Sequence, residues 1–387
     1  MALSILANVL APSVVTRRVS RIFTPGNPLT YHFGMQIGGP NVDQIIGRAY
    51  SWDYFDHTRL IAVGRAPGTG PARVAANPVG HQSNTFPRAY QSLALDYEKL
   101  NNIRAIGQNA GVRDRMGLQY LDAQLIEQKA QHDNWREFQL AALLTQGQCS
   151  WQFVGDDWIP VLSLGANPGF TLNWQIPSGN LGIVSPFTPN LNPTGTGNLI
   201  NSPWSNNNTD IGAQLDNIST AFQYLTNAPL RLAITDSLVW NMIISNQILQ
   251  AQSGSVNPVF ETYGSTQPLK GKDGNDLGVL EGRLKARPWV RWLITDQFLL
   301  INNQLIKAYP GNRVTFMVEP NQGVKWLQMQ EGSEPVKENP MAPAVDRQGF
   351  FSWLREWDEP CSVSLCTIQN AVVELTIPNA IMIGTVA

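Results

Sequence analysis

The stretch GVRDRMGLQYLDAQLIEQKAQHDNWREFQLAALLTQG, residues 111–147, decides the fold. From Val112 to Thr145 it contains no proline. Leu118, Leu121, Leu125, Trp135, Phe138 and Ala142 recur at intervals compatible with one helical face. The spacing predicts a single helix over 112–145, ended by Gly147. At about 1.5 Å per residue it extends about 50 Å, longer than most globular helices and suited to a structural spine.

Downstream, CSWQFVGDDWIPVLSL (149–164) alternates around Gly155 and Asp156 as a β-hairpin does, with Trp151, Phe153 and Trp158 available to one face. Residues 165–208, which include NLNPTGTGNLINSPWSNNN, are dominated by Asn, Pro, Gly, Ser and Thr and read as an irregular insertion at the surface. Asp210 is placed to cap a helix through IGAQLDNISTAFQYLTN, where Ile211, Leu215, Ile218, Phe222 and Leu225 form an apolar stripe. A buried strand, LRLAIT, then leads to a second helix, DSLVWNMIISNQILQAQ, capped by Asp236. Later strands are expected at RWLITDQFLLI, RVTFMVEP, CSVSLCTIQ and AVVELTIP, with LKGKDGNDLG as a polar turn between them.

Upstream, residues 58–95 hold two β-like edges, Leu60–Val63 and Arg88–Leu95, around a middle rich in Gly, Pro and Ala. Apolar edges argue for an ordered, hairpin-like loop. Before it, an extended segment to about residue 57 follows a short amphipathic arm, where Leu3, Leu6 and Leu10 keep helical spacing until Pro12. The whole is mixed α+β, with no internal repeat and no long linker.

Composition narrows the function classes. With 387 residues and 43% hydrophobic content, the chain buries a large core without disulfides or metal. Its net charge of −2 offers no electrostatic footprint for wrapping nucleic acid, so a direct nucleic-acid binder is disfavoured. Only 14% of residues are charged, against nearer a quarter in an ordinary soluble domain, which suits a surface that packs into an assembly. Arg17 and Arg18 follow the N-terminal apolar run instead of preceding it, unlike a signal peptide, and no stretch is long enough for a membrane span; a soluble, intracellular protein is expected.

Motifs for chemistry are missing. GTGPAR at Gly68 and GTGNLI at Gly195 lack the third glycine of a dinucleotide fingerprint and read as turns. The four histidines, His32, His57, His81 and His132, are isolated; His132, beside Asp133 in the predicted helix, reads as a solvated polar position. Cys149, Cys361 and Cys366 fit no disulfide or metal spacing and read as reduced thiols, the last two as small buried residues. The acidic pairs Asp156 with Asp157 and Glu356 with Asp358 read as turn residues instead of glycosidase carboxylates. The twelve tryptophans are dispersed and read as packing anchors. No catalytic, cofactor-binding or metal-ligating residue is expected.

In order, these elements are an arm, a Gly/Pro-rich hairpin, a long helix, a β-hairpin and a strand-helix domain closed by hydrophobic strands. That order resembles the lambda-type major capsid proteins of tailed phages, which share the Hong Kong 97 phage fold. RLIAVGRAPGTGPARV looks like the family's extended loop, residues 111–147 like its spine helix, and SWQFVGDDWIPVLSL like its peripheral-domain hairpin. APLRLAITDSLVWNMIISNQIL looks like the axial-domain strand and helix, and the segment from Phe350 onward like the closing strands. The resemblance implies an arm and extended segment over 1–57 and the extended loop over 58–95. A peripheral domain over 96–227 and an axial domain over 228–349 follow, with shared closing strands over 350–387.

It further implies a subunit without enzymatic activity or cofactor, self-assembling into pentamers and hexamers of a shell around double-stranded DNA. The shell would be assembled in the host cytoplasm, and packaged DNA would be touched only non-specifically. Each extended loop would lie over a neighbour, with Arg65, Arg73 and Arg88 either paired to the neighbour's carboxylates or exposed without partners. Some family members cross-link this loop through a lysine; His57 to Glu98 contains none, so no cross-link is expected. No fused scaffolding segment is recognised, which implies a separate scaffolding protein beside a portal and a decoration protein. Two other readings stay open, an encapsulin-like compartment shell and a carbohydrate-active enzyme or lectin built on the tryptophans.

Overall fold

A computed structural model describes residues 27–55, 79–95, 115–154, 157–161, 169–183, 188–254, 267–270, 276–301, 304–319, 325–336, 344–357 and 362–387. The expected N-terminal arm, the Leu60–Val63 edge and the Gly/Pro-rich middle of the loop lie outside the described residues. By contacts the chain divides into two units. One takes residues up to Ser51, Ser83–Glu137 and Gln328–Val373; the other takes Trp52–Gln82, Phe138–Leu327 and Glu374–Ala387. The long helix, observed at Arg115–Gln146, contributes residues to both, as does the long strand Ser362–Leu375.

The first unit holds short helix α1 (Pro28–His32), β1 (Val42–Gln44), part of β2 (Ala49–Phe55) and of β3 (Val79–Thr85), β4 (Arg88–Leu95) and the greater part of the long helix α2 (Arg115–Gln146). Its sheet has the order β1-β16-β20-β19, where β16 is Leu327–Glu331, β19 Phe351–Trp357 and β20 Ser362–Leu375, with β4 also paired to β20. The two strands expected at the C-terminal end are thus one. Leu121 and Leu125 of α2 pack with Leu95, Phe350 and Leu365.

The strand expected at Arg88–Leu95 is present, but it is not the second edge of the loop. It runs antiparallel to β20, from Arg88 opposite Asn370 to Leu95 opposite Val363. The paired arms flanking the loop are β2 and β3. Pro87 has no N–H to continue a ladder, so the chain leaves β3 at Phe86-Pro87, and β4 starts afresh on another sheet.

The second unit is built on a seven-stranded mixed sheet of order β10-β11-β12-β9-β15-β21-β8. In chain order these strands are β8 (Leu181–Gly182), β9 (Leu232–Thr235), β10 (Gln267–Lys270), β11 (Asp276–Arg283), β12 (Arg291–Thr295), β15 (Arg313–Met317) and β21 (Ile381–Thr385). Helix α3 (Ile211–Thr226) begins where Asp210 accepts from the Ala213 N–H at 2.9 Å and ends at Asn227 in the left-handed region, φ 60°. Asp236 caps α4 (Ser237–Ser245) through Val239 N–H at 3.0 Å. The helix expected to run on to residue 252 is broken at Asn246, whose side chain caps a new helix, α5 (Gln247–Ser253), through Leu249 N–H at 3.0 Å.

The 149–164 hairpin appears as β5 (Gln148–Val154) paired with β6 (Asp157–Val161), and β7 (Phe170–Asn173) joins its other edge. The described part of the insertion 165–208 includes the short strands β7 and β8 and is more than a surface loop. Leu191, Ile200 and Trp204 are buried in the core with Trp292 and Phe316, and the Trp204 indole donates to Gln214 Oε1 at 2.7 Å. Its polar residues form turns around these three anchors, with Gly195 and Gly197 at positive φ. The expected strand 291–301 is two strands: after β12, β13 (Phe298–Ile301) turns back on β14 (Gln304–Lys307).

Candidate assembly surfaces

The long helix carries an unusual burden. In the first unit Gln128, Lys129, His132, Asp133, Arg136 and Glu137 are all buried, although the sequence reads these positions as polar. Arg136, fully buried, pairs with the carboxylate of Glu331 and donates to the Met35 carbonyl at 3.0 Å. Glu137 accepts from the backbone N–H groups of Leu29 at 3.0 Å and Thr30 at 2.7 Å, and from the Thr30 hydroxyl. Two adjacent residues of the helix therefore hold the segment containing α1 by its main chain. A buried charge persists only when it is met in this way.

The solvated position expected for His132 is wrong. It is buried against Phe350, with Nε2 2.9 Å from Thr367 Oγ1. Gln369 satisfies both neighbours with its amide nitrogen toward His132 Nδ1 and its oxygen toward the Arg136 guanidinium. The ring is then neutral, with its proton on Nε2. Burial, with the positive charge of Arg136 beside it, holds its pKa down at about 3. Burial pushes the Glu137 carboxyl up to about 7, against the hydrogen bonds from Thr30 and Leu29.

Gly349 serves the same cluster. It sits at φ 70°, and a Cβ there would collide with the Glu331 carboxylate. Glu331, Gly349 and the Gln44 amide, 3.4 Å from Glu331 Oε2, thus form a closed pocket around one ion pair.

The flanks of the loop are described where β2 meets β3. On this ribbon the His81 imidazole lies 2.8 Å from the Asp53 carboxylate, both exposed, and Gly80 lies beneath the Tyr54 ring, where a Cβ would not fit. Arg65 and Arg73 lie outside the described residues. Arg88 is half exposed, stacked over Tyr90 at 4.9 Å and 3.8 Å from Glu334 of its own chain. A partner for Arg88 within the chain is what sequence reading missed, because nothing in the local pattern brings residue 334 to residue 88.

Among the described residues no three His, Cys, Asp or Glu side chains gather in a way that could hold a metal ion, and no helix is long and apolar enough to cross a membrane. Cys149 and Cys366 are free and buried, and burial pushes the Cys149 thiol well above its usual range. Cys361, Asp156 and Asp358 lie outside the described residues. Trp151, Trp174, Trp204 and Trp292 are among the largest fully buried side chains, as packing anchors are.

Two outcomes follow from the polar ladder. Glu331→Leu strands the Arg136 guanidinium and lowers stability by about 3–5 kcal/mol, whereas the double replacement Arg136→Met with Glu331→Leu costs less than the single one. Urea unfolding of both variants checks the order.

The second outcome concerns pH. The folded pKa of Glu137, about 7, exceeds its usual 4.5, so its contribution is full below 4.5 and is lost as pH rises through 7. The folded value for His132, about 3, lies below 6.5, so its contribution is present above 6.5 and is lost as pH falls toward 3. Between these limits the two slopes oppose. His132→Gln removes one of them, and its stability relative to wild type improves by about 1.4 kcal/mol per pH unit as pH falls from 6.5 to 4.5. A pH-independent difference between the two proteins would contradict the buried neutral imidazole.

No family model matches the chain, and no curated protein matches it. Its backbone is similar to the crystal structure of a chain described as a prophage capsid protein from Escherichia coli CFT073, with a TM-score of 0.55 and 12% identity over 100% of this chain and 98% of that one. A phage-related protein from Bordetella bronchiseptica RB50 gives a TM-score of 0.48 and 8% identity over 96% of each chain. An encapsulin from Synechococcus elongatus PCC 7942 gives 0.41 and 7% identity over 89% of this chain and 84% of that one. The first likeness is one of fold, and it spans the whole length. With its long helix, flanking ribbon and seven-stranded sheet, the chain has the mixed α+β fold expected from its sequence, the Hong Kong 97 phage capsid fold.

Proposed function

We propose that the chain is the major capsid protein of a tailed phage, a non-enzymatic subunit that self-assembles into the pentamers and hexamers of a DNA-filled shell. The observation that carries this reading is the likeness in fold to the prophage capsid chain over 100% of this chain and 98% of that one. The low charge content and the buried, dispersed tryptophans support it. In this reading the unit around the seven-stranded sheet holds the axial domain, and the ribbon β2-β3 leads into a loop that lies over a neighbouring subunit. Arg65 and Arg73 of that loop are its candidate contacts with neighbouring carboxylates. A separate scaffolding protein, a portal and a decoration protein complete the proposed assembly in the host cytoplasm.

Particle formation tests this reading. The purified chain is expected to give closed shells, tubes or capsomer rings by negative-stain electron microscopy, whereas uniform monomers under all conditions would overturn it. Shells that enclose protein instead of DNA would point to a compartment. Deleting residues 66–80 is expected to leave a folded subunit that forms no closed shell; normal shells from the deletion would remove the loop from the interface. On a denaturing gel the particles are expected to run at the monomer mass, because His57–Glu98 contains no lysine. A ladder of covalent multimers would contradict that.

A further inference from the structure

Residues 27–41 form a strap that the long helix holds by its main chain. Glu137 takes the N–H groups of Leu29 and Thr30 at the start of α1, Arg136 donates to the Met35 carbonyl at 3.0 Å, and Asp133 accepts from the Ile37 N–H at 3.4 Å. The strap also closes on itself: the Met35 N–H donates to the Thr30 carbonyl at 2.8 Å, and the Asn41 amide donates to the Phe33 carbonyl at 2.6 Å. Its polar attachment to α2 therefore runs through charged side chains that lie within one helical turn. Leu29, Phe33 and Met35 of the strap are buried, and residues 1–26 enter the fold through it.

The charges beside the strap do not balance while every group is ionised. Lys129, Asp133, Arg136 and Glu137 of α2 and Glu331 of β16 are all buried, three acids against two bases. Arg136 is taken by Glu331, and Lys129 is attracted by Asp133. Among these five side chains Glu137 is the acid without a cation, and Asp133 carries a like charge one turn before it on the same helix. Uptake of one proton by Glu137 makes the cluster neutral. The other titratable side chains of the strap are Tyr31 and His32, and on the neighbouring turn of α2 His132, which is neutral.

The site has room for that proton without losing a contact. Each carboxyl oxygen still offers a lone pair to a backbone N–H, and the Thr30 hydroxyl, which donates to the ionised carboxylate, accepts from the protonated acid. Burial, with the Asp133 carboxylate beside it, favours the protonated acid, against the hydrogen bonds from Thr30 and Leu29. Ionised Glu137 has neither water nor a cation to meet its charge while the strap lies over it, and moving the strap away admits water.

We propose that residues 27–41 are a proton-operated latch, closed on the long helix while Glu137 keeps its proton and released when that proton leaves. The proton passes from the Glu137 carboxyl to water, and no other covalent bond changes. Release is local, since the pair of Arg136 with Glu331 lies on α2 and β16 and stays in place. It exposes Leu29, Phe33 and Met35, so a sealed apolar surface becomes an accessible one as pH rises. The latch belongs to the subunit and does not depend on the shell reading.

Hydrogen exchange of the full chain, read by mass spectrometry from about pH 5 to 8.5 and corrected for the intrinsic rate, tests the latch. Peptides covering residues 27–41 are expected to open more readily as pH rises, by up to about tenfold per unit until about pH 7 and no further above it, while α3 keeps its protection. E137Q has the shape of the protonated acid and no proton to lose, and is expected to flatten the rise. H32Q is expected to keep it. D133N removes the neighbouring charge and is expected to end the rise at a lower pH. Equal protection of the strap at the two ends of the range in the wild type would overturn the proposal. So would a rise that survives in E137Q, an end point that D133N leaves unmoved, or a rise that disappears in H32Q, which would move the switch to His32. Parallel loosening of α3 would overturn it as well, because the change would then be a global loss of stability instead of a local release.

Discussion

A guanidinium cut off from water must find all its partners inside the protein, and Arg136 imposes that demand on the first unit. It is met by the Glu331 carboxylate, the Met35 carbonyl and the Gln369 amide, which come from a strand, from the segment after α1 and from the long central strand. One charge thus fixes a helix, a sheet and a peripheral segment against each other. Glu137 extends the constraint by taking two main-chain N–H groups of α1. Polar pairs of this kind add little net stability over apolar packing, but they penalise every arrangement in which a partner is missing. They specify one register for the helix on the sheet, which a purely apolar helix face would allow to slip.

The second unit is held differently. Its core is aromatic and aliphatic, with Trp204, Trp292, Phe222 and Phe316 packed between the seven-stranded sheet and its helices. Polar groups there are spent on chain direction: Asp210, Asp236 and Asn246 each start a helix by accepting a backbone N–H. Asp236 also receives Lys307 at 2.8 Å, which ties the hairpin β13-β14 to the start of α4.

Much of this was legible in the sequence because it is written in short-range patterns. The long proline-free helix, the Gly155-Asp156 hairpin and the caps at Asp210 and Asp236 follow from local spacing and turn chemistry. What stayed hidden depends on distant residues. His132 looked solvated because a polar residue on a helix usually is; its partners, Thr367 and Gln369, lie more than two hundred residues away. Trp204 sits in a polar, turn-rich stretch whose composition masks its three buried anchors. The break at Asn246 was a cap read as a helix interior, and β4 was assigned to the loop because alternation does not say which strand it will pair with. The pairing of Arg48 and Arg88 with Glu334 is the same kind of omission, made by residues that sequence order keeps apart.

Electron cryomicroscopy of the assembled particle tests the central claim most directly. The account predicts a closed icosahedral or prolate shell of five- and six-fold capsomers, each subunit showing the long helix and the β2-β3 ribbon reaching over its neighbour. A chain that remains a monomer, or particles in which the ribbon touches only its own subunit, would contradict it.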